Sequence, residues 1–183
     1  MLGVSIDNVS MDQAVADILA AATEPAPPRL VFFVNAHCLN VACGRDDYRA
    51  ALGDATAVFG DGVGVRLAGR VLGQSVRDNV NGTDLLPHLC EEAARRGISL
   101  FLLGAKPGVA EEMALRLRER WPALRIAGTR HGYFSPAEEP ALLDQISASG
   151  AQLLLVALGV PAQELWLTRN RARLKAGAAL GVG

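Results

Sequence analysis

With 183 residues, 50% of them hydrophobic and 20% charged, and a formal net charge of -1, the chain carries enough material for one folded domain with a substantial core. That balance excludes an intrinsically disordered chain and gives no compositional reason to expect a nucleic acid partner. Three cysteines (Cys38, Cys43, Cys90) form no CxxC pair and point to a reducing compartment. Three scattered histidines (His37, His88, His131) lack metal-ligand spacing. The longest apolar runs, residues 30–34 and 153–158, fall far below the ~20 residues of a spanning helix. The N-terminus lacks the basic region of a signal peptide, so a cytoplasmic location is expected.

In chain order, Ser10 and Gln13 have capping-box spacing before a helix whose apolar face is Ala14, Val15, Ile18, Leu19 and Ala22. A proline-rich loop, 24–29, leads to a buried strand at 30–34. Asn35 opens a helix broken near Gly44, and Arg45-Asp46-Asp47 opens a second one carrying Tyr48 and Leu52. A strand at 56–59 runs into the glycine turn 60–64 and an apolar helix to about Leu72, followed by a polar loop, 73–82. Thr83 is the expected N-cap of the helix carrying Leu85, Leu86, Leu89, Cys90 and Ala93, and Gly97 its left-handed end. A strand at 98–103 meets Gly104-Ala105-Lys106-Pro107-Gly108, then a helix with Val109, Met113 and Leu117 as its expected core face. Residues 124–127 form a further strand. Ser135-Pro136-Ala137-Glu138 reads as a capping box with proline at the first helical position, 153–158 as a buried strand, and Pro161 as the opening of the next helix. This alternation predicts one α/β domain, Rossmann-like, with a largely parallel sheet and helices on both faces.

In such sheets ligands gather beyond the carboxyl ends of the strands. Each loop there has a structural and a functional reading. Asn35 is either a helix cap or a donor and acceptor for sugar hydroxyls. Asp61, among glycines, is either a cap or a general base. The turn is no dinucleotide fingerprint, because Leu67 stands where GxGxxG needs its third glycine. Gly104 to Gly108 can present backbone amides and Lys106 to a phosphate, although GK[ST] is missing. Gln163 and Glu164 fall in a first helical turn, where they either face a ligand above the sheet or, for Glu164, complement the helix dipole, while Trp166 reads as core. His131-Gly132-Tyr133-Phe134 offers an aromatic for a nucleobase or a turn with a buried ring.

Taken together, Asn35, Asp61-Gly62-Val63-Gly64, Gly82-Thr83-Asp84-Leu85, Phe101-Leu102-Leu103-Gly104, His131-Gly132-Tyr133-Phe134 and Gly159-Val160-Pro161-Ala162-Gln163-Glu164 resemble the WecG/TagA/CpsF family, glycosyltransferase family 26, over nearly the whole chain. The resemblance implies a GT-E-type Rossmann-like fold. It also implies inverting transfer of a sugar, N-acetylmannosamine or another hexose, from a UDP-sugar to an undecaprenyl-diphosphate-linked sugar. The products would be cell-surface polysaccharide or teichoic acid, and neither a metal nor another cofactor is implied. By motif, Asp61 would be the base. Asn35, Asn79, Asp84, Gln163 and Glu164 would contact donor or acceptor, and Gly104, Gly132, Tyr133 and Gly159 would lie near the nucleotide. The enzyme would be peripheral at the inner face of a bacterial membrane, with homo-oligomers as further partners.

Three departures from the family pattern stand out. Phe33 occupies a place often held by Thr. Asn79 occupies one often held by Arg, with Arg77 as a nearby substitute. Gly183 falls in the last strand, where relatives continue into a basic appendage that contacts the membrane, so a truncated chain is expected. Two competing readings are a nucleotide-binding α/β protein that is not a transferase, and an inactive scaffolding subunit of polysaccharide assembly.

Overall fold

A computed structural model of the chain describes residues 1–24, 27–71, 73 and 78–183. Its frame is a single six-stranded sheet, parallel throughout, in the order β2-β1-β6-β5-β3-β4. The elements are α1 (Met11–Ala22), β1 (Arg29–Val34), α2 (Ala36–Gly44), α3 (Asp46–Gly53), β2 (Ala57–Gly60), α4 (Val63–Val71), α5 (Gly82–Arg96), β3 (Ser99–Gly104), α6 (Val109–Arg120), β4 (Arg125–Arg130), α7 (Glu139–Ala148), β5 (Leu153–Ala157), α8 (Ala162–Asn170) and β6 (Ala178–Gly181). The expected α/β architecture is therefore present, with helices on both faces.

A parallel sheet covered on both sides needs strands that are apolar throughout, and β1, β3 and β5 supply them. Alternation along each strand then divides the core in two. Val31, Phe33, Leu100, Leu102, Leu153 and Leu155 pack with α1, α5 and α6. Leu30, Phe32, Val34, Phe101, Leu103, Leu154 and Val156 pack with α2, α3, α7 and α8. The central β6 sets three small residues, Ala178, Ala179 and Gly181, beside the buried Leu180. At its entry Gly177 lets the chain pass against the backbone of Ala21 and Ala22, where a methyl group would overlap.

Local signals held in several places. Ser10 Oγ accepts from the Gln13 amide at 3.2 Å, and Gly97 ends α5 at φ 67. Thr83 is not the cap of α5. Asn81 is, its Oδ1 accepting from the Asp84 amide at 2.7 Å, and asparagine ranks above threonine in that role. The core face of α6 is Ala110, Ala114 and Leu117, leaving Val109 46% and Met113 39% exposed. Small alanines let this helix lie close to the sheet, rotated one position from the expected stripe. Ser135 to Glu138 closes as a turn: the Glu138 carboxylate accepts from the Ser135 amide and hydroxyl, both at 2.8 Å, and α7 starts afterwards at Glu139. Leu72 and Arg77 lie outside the described residues. Among those described, no helix is long and apolar enough to cross a membrane.

Candidate functional site

Because every strand runs the same way, all six carboxyl ends share one rim. At the β1–β2 end the rim is open and polar. Gly60 closes β2 where a methyl group would stand 2.8 Å from Val65 Cγ1, so the chain turns tightly over α4. The Asp61 amide donates to Val34 O at 2.8 Å. Gly62, at φ 89, turns the chain again, and its amide donates to Asn79 Oδ1 at 2.9 Å. Asn79, standing where the resemblance expects a cation, thus ties down the loop that carries Asp61.

Asn35, directly after Val34, caps α2 through Oδ1, which accepts from the Cys38 amide at 3.1 Å. Its exposed Nδ2 has no protein partner among the described residues. The cap and the ligand readings are therefore compatible: one end of the amide holds the helix and the other faces solvent. The Asp61 carboxylate is half-buried and unpartnered among the described residues. Burial, and then the neighbouring negative charge of Asp84, raise its proton affinity above that of an ordinary aspartate. Asn35, Asp61, Asn79 and Asp84 are thus gathered by the ends of two adjacent strands and the start of α5.

Gln163 and Glu164 do not face upward as expected. They are 1% and 0% exposed. α8 buries Gln163, Glu164, Trp166, Leu167 and Asn170, and this draws its first turn beneath the rim. Gln163 Nε2 donates to Gly183 O at 3.0 Å and to Glu164 Oε1 at 3.1 Å, while Gly183 N donates back to Gln163 Oε1 at 3.0 Å. The side chain therefore clamps the residues leaving β6 as a neighbouring strand would. Glu164 Oε2 has no partner among the described residues, and burial raises the proton affinity of this carboxyl above that of an ordinary glutamate. Its surroundings include the buried Cys38 thiol and Tyr48 phenol. Both are raised first by burial, with the Glu164 charge contributing. β2 and β6 are two strand positions apart, about 10 Å, and the Gln163 amide is taken up by Gly183 beside β6 rather than turned toward Asp61.

At the β3–β5 end the loops are stitched together beside an apolar cavity of about 200 Å³ lined by Leu102, Gly104, Ala105, Val109, Ala157 and Val182. Gly104, at φ 140, lies so close to Ala157 that a methyl group would overlap its carbonyl. The Ala105 amide donates to Ala157 O at 3.0 Å, and the Gly132 amide to Ala105 O at 2.9 Å. A methyl group on Gly132 would stand 2.7 Å from Leu158 Cδ2. These two glycines therefore serve loop-to-loop packing first. On the surface they create, Tyr133 is 66% exposed, and Gly159, at φ 80, has open space where a side chain would be. Lys106 is exposed before the start of α6. Phe134 packs edge-on against the buried Trp166, which is core as expected and donates from Nε1 to Glu139 Oε2 at 3.0 Å.

α6, leaving β3, covers one face, and α8, leaving β5, covers the other. The chain therefore diverges at this end, where open α/β sheets hold ligands. Two features escaped the sequence. The Asn81 cap had a usable signal in Asn-x-x-Asp. The meeting of Cys38, Tyr48 and Glu164 had none, because it depends on how α2, α3 and α8 pack.

The model of the Glycosyl transferase WecG/TagA/CpsF family matches residues 1–183. The chain belongs to that family and is a glycosyltransferase.

Proposed function

We propose that this glycosyltransferase moves a sugar from a UDP-sugar to a lipid-diphosphate-linked sugar, with inversion, as a step in cell-surface polysaccharide or teichoic acid synthesis at the inner face of the membrane. Asp61 accepts the proton of the acceptor hydroxyl as its oxygen attacks the anomeric carbon and UDP departs. The observation that carries this reading is a half-buried carboxylate, unpartnered among the described residues, at the carboxyl rim of a glycosyltransferase fold. Its raised proton affinity makes it a stronger base than an ordinary aspartate. Asn35 supplies a free amide to a sugar hydroxyl, and Asp84 lines the same opening. Asn79 acts through the loop it ties down, and Gln163 and Glu164 act from beneath. The backbone amides at the start of α6, with Lys106, hold the nucleotide end of the donor, and this reading requires no metal. Tyr133 stacks on the nucleobase over Gly104, Gly132 and Gly159.

Substituting Asp61→Asn should lower transfer by about 10²- to 10⁴-fold with UDP affinity retained, measured as UDP release with a panel of UDP-sugars and a polyprenyl-diphosphate-sugar acceptor. Undiminished transfer would remove the base role. Binding of NAD without UDP would favour a different nucleotide-binding activity.

A further inference from the structure

Two residues beyond Asp61, α4 turns a second apolar face away from the core. Its inward side is Val65, 1% exposed, with Gly69 also buried. Val63, Leu67 and Val71 recur every fourth residue on the opposite side and are 78%, 59% and 80% exposed. Three large aliphatic side chains thus form one strip in water, and such surfaces mark interaction sites. Arg66 and Arg70 flank the strip. Both are exposed, and neither has an acidic partner among the described residues. No acidic residue occurs anywhere in α4, whose sequence is VGVRLAGRV.

We propose that α4 is a membrane-docking helix, laying Val63, Leu67 and Val71 into the acyl boundary of an anionic bilayer while Arg66 and Arg70 pair with its phosphates. Aliphatic depth flanked by cations is the pattern of a helix lying in a lipid interface. Unpaired arginines favour an anionic surface over a second copy of this chain, since two copies meeting through this strip would bring their cations together. The position strengthens the argument. The helix starts at the loop that carries the candidate base, so docking would bring the open end of the rim to the lipid surface. The last point rests on a lipid-borne acceptor; the docking itself does not.

Co-sedimentation with vesicles of phosphatidylglycerol and phosphatidylcholine, against phosphatidylcholine alone, tests this on the full chain. The expected result is binding to the anionic vesicles that falls with salt. It should weaken about tenfold or more in V63S/L67S/V71S and by a similar factor in R66Q/R70Q. Thermal unfolding of both variants should match the parent, because the changed side chains are exposed. In turnover, the variants should be slower with acceptor embedded in vesicles and unchanged with a short-chain soluble acceptor. Vesicle binding that neither variant weakens would overturn the proposal. So would the absence of vesicle binding together with a dimer that V63S/L67S/V71S dissociates. Loss of turnover with every acceptor and donor, alongside intact vesicle binding, would instead count against the proposed reaction.

Discussion

The two ends of the rim solve opposite problems with the same residue type. At the β1–β2 end, Gly60 and Gly62 bend the chain so that Asp61 and its neighbours stay open to solvent. At the β3–β5 end, Gly104 and Gly132 bring backbones into contact and join the loops into a seam beside an apolar cavity. Glycine makes an opening in one place and a seam in the other. What separates them is whether polar side chains or main-chain partners fill the space beside it.

The seam is the easier end to break. Gly104→Ala places a methyl group on the Ala157 carbonyl and forces a side chain onto φ 140, so an unfolding experiment in denaturant should show a loss of about 3 kcal/mol. An equal change at Gly62, which has open space around it, should cost less, and parity between the two would abolish the contrast drawn here.

A smaller effect is expected beneath the centre of the rim. A glutamate whose folded proton affinity exceeds its unfolded one stabilises the protein fully at pH values below the unfolded pKa. That stability is lost as pH rises through the raised folded value. Glu164→Gln keeps an acceptor for Gln163 and removes the ionisation. It should therefore flatten this slope and raise stability at neutral pH by on the order of 1 kcal/mol. A parent chain whose stability climbs with pH over that window would contradict the burial argument.

The smallest shift belongs to the open end. Asp84→Asn removes the charge that adds to burial at Asp61, so the acid limb of the pH–rate profile should move to lower pH. Movement in the other direction would mean that Asp84 does not act on the base electrostatically.

How much of this was legible in sequence depended on the range of the interaction involved. Apolar runs located the strands, and α1 kept its predicted face, because burial on a sheet and helical period are local properties. The capping role of Asn35 was legible. The orientation of Gln163 and Glu164 was not. A first-turn position normally faces outward, and nothing local reveals that α8 is drawn under the rim by contacts with Gly181 and with Gly183, 20 residues beyond Gln163. The α6 face slipped for a related reason: alanines carry a weak hydrophobic signal yet permit the closest approach to a sheet. α4 was read as apolar, but which apolar residues face water is decided by Val65 meeting Gly60.

The placement of β6 has a consequence for assembly. The latest of the six strands in sequence lies in the middle, hydrogen-bonded to β1 on one side and β5 on the other. Until it is synthesised, the β1–β2 pair and the β5–β3–β4 trio have no strand between them, and each presents an unpaired edge. Folding on the ribosome should accordingly proceed as two waiting fragments joined in one late, cooperative event with high contact order. A ribosome-stalled chain ending before Ala178 should remain protease-sensitive and depend on chaperones to keep those edges from pairing with other chains.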